Sequence, residues 1–301
     1  MAKQVHATAI IGEGVELGDD VEVGPYSIIA PGTRVGDRTR IGPQVVIDGR
    51  ATIGADNMIG PKVNISGVTR IGDRNTIFGQ ASLGTAPQDL SYRGEPTEVE
   101  IGNENTIREF VTINRGTVKG GGVTRIGSGN LLMACCHVAH DCDIADHVII
   151  GNNTLLAGHI KVEERANISG GVGGNHFVTI GAYCYVGGMT RMVHDVPPFM
   201  ILEGHPSSVR GVNIIGLQRA GIDSEEIQSL REAHKRIWRT LGTRAEALAD
   251  LSELARTSPN VDRLVEALEN TATSSKGRYR EILRDRFMAE GRRRILGEEG
   301  A

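Results

Sequence analysis

Within LLMACCHVAHDCDIADHVIIGNNTLLAGHI, residues 131–160, stand His137, His140, Asp141, His147 and His159, and GGNHF adds Asn175 and His176. Imidazole is the side chain that gains or loses a proton between pH 5 and 8, so histidines held together suit taking a proton from a weak acid and returning it. Any one of them alone reads as a surface or hydrogen-bonded histidine. Their spacing points further. His140 and His176 are 36 residues apart, and His159 lies between them, one position out of step. Asp141 directly follows His140 and can orient its ring, although adjacent residues in a strand usually point to opposite faces. Three of the four cysteines, Cys135, Cys136 and Cys142, lie in the same stretch, and Cys184 is the fourth. They form no CxxC pair, so the expectation is reduced structural thiols and no metal site.

The number 36 matters because of the pattern that carries these residues. Every sixth residue is aliphatic, usually followed by a small one: Ile11-Gly12, Leu17-Gly18, Val23-Gly24, Ile29-Ala30, Val35-Gly36, Ile41-Gly42. The beat runs in phase to Leu83, resumes at Ile101, Ile107 and Ile113, and after a one-residue shift runs from Ile126 to Met192, broken only at Gly174. This is the signature of a parallel β-helix of hexapeptides, three hexads to a triangular coil of 18 residues. Aliphatic side chains point inward and stack about 4.8 Å apart, the spacing of paired strands. Glycine follows where a Cβ would clash. Each buried aliphatic side chain stabilises the coil by roughly 1.5–3 kcal/mol. No long helical periodicity precedes residue 220, which excludes an α/β fold. His140 and His176 then lie two coils apart on one side, roughly 9–10 Å from each other.

Two stretches leave the beat. TAPQDLSYRGEPTEVE, 85–100, removes one coil's worth of pattern while keeping phase, and Pro87, Gly94 and Pro96 mark it as a loop. NRGTVKGGGVT, 114–124, carries three consecutive glycines, fit for a flexible tip or for close backbone approach. Loops thrown from a rigid scaffold are where function concentrates. The chain divides into a hexapeptide β-helix over 1–195 and a helical domain over 196–301. In the second, Asp223 caps a helix to about Arg239, Thr243 and Glu246 form a capping box for a helix to about Arg256, and Ser258-Pro259 opens a third to about Asn270. The tail from Ser274 is rich in Arg and reads as a solvated or frayed end, with a membrane-surface or acidic-partner contact as the weaker option.

The net charge of −4 does not suggest a nucleic-acid partner. No apolar run approaches 18 residues and the start lacks a charged-then-apolar signal, so a soluble cytoplasmic protein without stable membrane insertion is expected.

The strings QDLSYRGEPT (88–97), NRGTVKGGG (114–122), HVAHDC (137–142), DVPP (195–198) and GVNIIGLQRAG (211–221) closely resemble the UDP-N-acetylglucosamine O-acyltransferase family of lipid A biosynthesis, over about residues 5–270. The resemblance implies an all-β left-handed parallel β-helix with a C-terminal α-helical domain, assembled as a homotrimer with active sites between subunits. It implies transfer of a 3-hydroxyacyl chain from acyl carrier protein to the sugar 3-hydroxyl of UDP-N-acetylglucosamine, with the carrier thioester as co-substrate and no bound cofactor. Position by position, His140 matches the family's general base. Gln88, Asp89 and His137 match residues around the sugar and acyl groups, and His159 matches a further site histidine. Asn213 and Arg219 match positions near the nucleotide and diphosphate. Gly188 matches the position that limits acyl length, with Met189 beside it able to shorten the groove.

The chain departs from the family at three places. Asn175-His176 stands for His-Gln, Ile215 for a Glu, and Ala220 for a second Arg. The reaction type is therefore expected to be kept, while a modified sugar or a different nucleotide sugar stays open as acceptor. Two rivals also stay open: an acetyl-coenzyme A-dependent acetyltransferase of an amino sugar, and a non-catalytic nucleotide-sugar-binding scaffold.

Overall fold

A computed structural model describes residues 4–297. The ends of the chain, including the last residues of the Arg-rich tail, lie outside the described residues. Within them, short parallel strands repeat in the order first, second, third sheet, and so wind a triangular coil. The first sheet has twelve strands, from Gln4–Val5 to Ser207–Val212, the second ten, from Ile10–Ile11 to Arg191–Met192, and the third nine, from Glu16–Leu17 to Thr179–Ile180. Pairing is in the expected register: Ile59 lies between Ile41 and Ile77, and Ile29 between Ile11 and Ile47.

One continuous core fills the prism, with Ile29, Ile47, Ile65, Ile77, Ile113, Leu132 and Ile150 fully buried. Gly174 faces this core too. A Cβ there would meet Ile160 Cδ1 at 2.7 Å, so neighbouring side chains occupy the space its own would take. The glycine after the aliphatic position is needed for close approach: a Cβ on Gly36 would sit 2.6 Å from the backbone of Gly54 in the next coil. Along one edge a buried ladder ties coils together. Asn57 Oδ1 accepts from Asn75, Asn75 Oδ1 from Asn105, Asn105 Oδ1 from the Asn130 N–H, and Asn130 Oδ1 from the Val148 N–H.

Both interruptions leave the same corner, between the second and third sheets. Ile71 pairs with Ile53 eighteen residues back but with Ile101 thirty residues on, so the first adds twelve residues to a coil. Ile107 pairs with Leu132, twenty-five residues on, so the second adds seven. The strands run up to Thr85 and resume at Glu98, which shortens the first loop at both ends relative to the sequence expectation. The second contains a 3-10 turn, Val118–Gly120, whose Gly120 packs closely against Asp141, while Gly121 after it takes a left-handed φ in open space.

Beyond the coil, Met200–Gly204 still joins the first sheet beside Tyr185–Val186 and turns back as an antiparallel hairpin with Ser207–Val212. Among the described residues six α-helices follow: α1 Ile214–Arg219, α2 Ser224–Trp238, α3 Arg244–Asp250, α4 Ser252–Thr257, α5 Pro259–Thr273 and α6 Arg284–Leu296. Asp223 caps α2, Thr243 and Glu246 form the capping box of α3, and Ser258 caps α5. The expected helix from Thr243 to Arg256 is instead two, α3 and α4. Leu251 is fully buried at their junction and packs into the helical core. The tail is the larger correction. It is not frayed. Tyr279–Leu283 forms a 3-10 helix and α6 continues from it, folded back against the Val118–Gly120 turn. Arg278, Arg280 and Arg284 pair with carboxylates and rings, which holds a segment that composition alone reads as solvated. Among the described residues, no helix is long and apolar enough to cross a membrane.

Candidate active site

The corner that throws out the loops also carries the histidines. Eighteen-residue stacking sorts them into two columns: His140, Gly158, His176 and His194 in one, Asp141, His159, Phe177 and Asp195 in the other. In the second column Asp141, His159 and Phe177 have φ of 62°, 65° and 66°, so the chain turns sharply at each. The turn overrides the strand alternation that would separate neighbours, and Asp141 Oδ2 comes 2.7 Å from His140 Nδ1.

Both oxygens of Asp141 are engaged. Oδ1 accepts the Thr117 N–H at 2.6 Å, and Oδ2 accepts the Thr117 hydroxyl at 2.6 Å beside the His140 contact. The carboxyl group is fully enclosed. With an acceptor facing Nδ1, the proton of His140 belongs on that nitrogen, which leaves the lone pair of Nε2 free as a base.

His159 completes the group. Its ring meets that of His140 edge-on at 5.1 Å and stacks on Phe177 at 4.3 Å. Its Nδ1 is buried without a hydrogen-bond partner, 3.6 Å from Asp141 Oδ2. Burial draws this imidazole down to about 4, so it is neutral at physiological pH. His137 and His176 are held below the ordinary imidazole range, by burial first and by His140 second. His140, Asp141 and His159 offer ligand atoms within 4.8 Å of one another, the one such grouping among the described residues, but Asp141 is already committed to Thr117 and His140. The cysteines lie apart from this chemistry: Cys136, Cys142 and Cys184 point into the core, and burial pushes the Cys136 and Cys142 thiols up to about 12.

A cleft of about 400 Å³ opens in front of the pair, with Gln88, His137, His140, Gly158, Asn175 and His176 among its walls. His137 is fixed by Thr112 Oγ1 at 2.7 Å from its Nδ1. Asp89, one residue beyond Gln88, accepts from the N–H and hydroxyl of Ser91 and lies 3.9 Å from Lys119 Nζ, so the two loops meet here. The Ser91 backbone bond, with help from Lys119, holds its carboxyl below the usual range. The His140 and His176 rings are 6.5 Å apart, closer than the backbone spacing, because Gly158 between them leaves space. A Cβ on Gly158 would lie 2.5 Å from His140 Cε1.

Asp89 and His159 adjoin the wall residues Gln88 and His140 without lining the cleft, and three further predicted residues lie away from it. Gly188 is at the corner between the first and second sheets, where a Cβ would come 3.4 Å from the Gly170 carbonyl oxygen. Asn213 caps α1 and donates to the Tyr183 carbonyl at 2.8 Å. Asn213 and Arg219 line a separate hollow of about 470 Å³ on the first sheet, together with Arg165, Tyr185, Ile215 and Ala220. In a triangular coil that face is opposite the corner of His140. Sequence reasoning missed Thr112, Thr117 and Phe177. Phe177 had a signal, since it stands eighteen residues after His159; the threonines had none beyond their place in the second loop and the strand before it.

Comparisons with known proteins agree with this architecture. A family model described as UDP N-acetylglucosamine O-acyltransferase, domain 2, matches residues 195–278, and a bacterial transferase hexapeptide model matches 14–49 and 124–158. An acyl-[acyl-carrier-protein]–UDP-N-acetylglucosamine O-acyltransferase of Gloeothece citriformis is 49% identical over 199 residues, 66% of this chain and 71% of the relative. One of the same name from Synechocystis is 52% identical over 181 residues, 60% of this chain and 65% of the relative. Among solved structures, the Arabidopsis UDP-N-acetylglucosamine acyltransferase has a TM-score of 0.82 at 32% identity, covering 90% of this chain and 98% of that one. LpxA from Acinetobacter baumannii has a TM-score of 0.75 at 38% identity, covering 91% and 98%.

Proposed function

This chain belongs to the UDP-N-acetylglucosamine O-acyltransferase family, and on that footing we propose that it moves a 3-hydroxyacyl chain from acyl carrier protein to the 3-hydroxyl of UDP-N-acetylglucosamine, the opening step of lipid A biosynthesis. The observation that carries the reading is the His140–Asp141 pair at the head of the cleft. Nε2 of His140 takes the hydroxyl proton as the sugar oxygen attacks the thioester carbonyl. A C–O bond forms and the carbonyl oxygen becomes an oxyanion, for which the Gly158 N–H in the cleft wall is the proposed donor. Collapse breaks the C–S bond, and the departing thiolate of the carrier takes the proton from His140. Asp141 keeps the ring in the tautomer that can accept and stabilises it once protonated. Every step uses side chains, backbone and the two substrates.

The remaining sugar and acyl contacts are assigned to Gln88, Asp89, His137, His159, Asn175 and His176, with Asn213 and Arg219 toward the nucleotide and Gly188 along the acyl groove. The last three are on other faces of the same chain, and this favours a homotrimer. A second copy that sets its His140 corner against the first sheet of this one brings both halves together, and a head-to-tail contact repeated three times closes a ring. The proposed compartment is the cytoplasm. Ile215, exposed in the hollow beside Asn213, and Ala220 leave the acceptor as the point to measure.

The test is mass spectrometry of the product formed from UDP-N-acetylglucosamine and a panel of acyl carrier protein thioesters, for the parent chain and for His140→Ala. A 3-O-acylated sugar nucleotide is expected, with turnover lower by about 10²–10⁴-fold in the variant. Transfer from acetyl-coenzyme A alone, or near-parent turnover without the imidazole, would overturn the reading.

A further inference from the structure

The family model ends at residue 278, yet the chain beyond it is folded against the site. We infer that residues 279–296 are a strap that positions the acid–base pair, α6 by holding the Val118–Gly120 turn and Arg280 and Arg284 by holding His159. This rests on the reading of His140 as the base.

Two independent lines of contact run from the strap to the histidines. The first passes through the turn. Gly291 of α6 packs so tightly on it that a Cβ would lie 2.1 Å from the Val118 carbonyl oxygen. On the other side of the turn, a Cβ on Gly120 would lie 2.0 Å from Asp141 Cγ. Helix, turn and carboxylate are therefore three layers without slack, and Thr117, at the head of the turn, supplies two of the hydrogen bonds that aim Asp141 at His140. Arg294, 3.4 Å from Glu100 and 3.7 Å from Glu98, fastens the far end of α6 to the third sheet.

The second line passes through the other column. Arg280 Nε donates to the His159 carbonyl at 3.0 Å. The Arg284 guanidinium lies 4.5 Å over the Phe177 ring, and the same ring stacks on His159, so the phenyl links cation to imidazole. The start of the strap is fixed in turn: Asp195 accepts the Tyr279 N–H at 2.8 Å, and Glu281 gathers Lys276, Arg278 and Arg284. A segment needed only for solubility would not converge on both supports of one imidazole. Arg280 and Arg284 act through Phe177 and His159, so they are positioning residues rather than catalytic ones.

The experiment uses the full chain and four variants, Gly291→Ala, Arg284→Ala, Arg284→Lys and His140→Ala. It reads kcat, KM for both substrates, the pH profile of kcat and the thermal midpoint. Alanine favours a helix more than glycine does, so weaker helix propensity cannot explain a loss at Gly291. Expected are a kcat lower by about 10–100-fold in Gly291→Ala with KM within about threefold, a smaller loss in Arg284→Ala, and recovery by Arg284→Lys, which keeps a cation over the ring. The pH profile of kcat should also change in the two damaged variants, because the carboxylate and rings that set it are displaced. Parent kcat and parent pH profile in folded Gly291→Ala and Arg284→Ala overturn the strap, and so does a loss that vanishes once assays are run well below each variant's thermal midpoint. If Gly291→Ala does not fold, the Arg284 pair decides by the same criteria. His140→Ala separates the two ideas: full activity there removes the base itself, while loss there with intact strap variants removes only the strap.

Discussion

His140 and Asp141 are chain neighbours, yet the carboxylate of one accepts from the ring of the other at 2.7 Å. The left-handed turn at Asp141 makes this possible, and Thr117 fixes the carboxylate by donating its N–H to one oxygen and its hydroxyl to the other. Asp141→Asn is expected to keep the fold and lower kcat by about 10²–10⁴-fold, because an amide N–H facing Nδ1 moves the ring proton to Nε2 and removes the base. Steady-state kinetics beside circular dichroism checks it, and parent turnover would mean that the tautomer is set elsewhere.

Gly158→Ala probes the space beside the ring. The new methyl would stand 2.5 Å from His140 Cε1 and drive the imidazole off its line, at a cost of about 10²-fold in kcat. Gly158 does not have a left-handed φ, so the backbone accepts alanine and the thermal midpoint should change little. An inactive but unfolded variant would point to a structural role instead.

Acid should weaken the fold through His159. Its folded pKa of about 4 lies below the ordinary value of 6.5, so above pH 6.5 it contributes nothing to pH dependence. As pH falls from 6.5 toward 4 the unfolded chain binds a proton that the folded chain refuses, and stability is lost, by up to about 3 kcal/mol for this residue. His159→Phe, which loses no hydrogen bond at Nδ1, should flatten the dependence measured by denaturant unfolding at pH 4.5–7.5. An unchanged slope would assign the effect to His137 and His176, whose pKa values burial also lowers.

Complementation checks the division of the site between copies. His140→Ala and Arg219→Ala should each be impaired alone. Co-expressed, random mixing in a ring pairs an intact corner with an intact first sheet at about one site in four, and activity should recover to that level. Recovery no greater than the sum of the two variants would require both residues to serve one site within a single chain.

The coil was legible because its period is set by backbone geometry: one aliphatic residue per side, repeated at eighteen, defines the core from Val21 to Met192. Helix starts at Asp223, Thr243 and Ser258 were legible because caps are local chemistry. The split at Leu251 was not, since a buried side chain in a distant packing decides it. At the site, the columns at eighteen-residue spacing were partly read. His140 and His176 were placed on one side, but the approach of their rings to 6.5 Å depends on Gly158 having no side chain. The folded tail was missed because Arg-rich composition suggests solvent, whereas its partners, Glu98, Phe177 and the His159 carbonyl, are more than a hundred residues away in sequence.

The distance along the chain between α6 and the Val118–Gly120 turn, about 170 residues, bears on the order of synthesis. A ribosome delivers the coils first, one upon another, each nucleated by the last. The histidines are thus in place long before Gly291 and Arg284 emerge. A nascent chain would hold a finished prism with an unfinished centre, and the last helix made would be the part that brings it into working order.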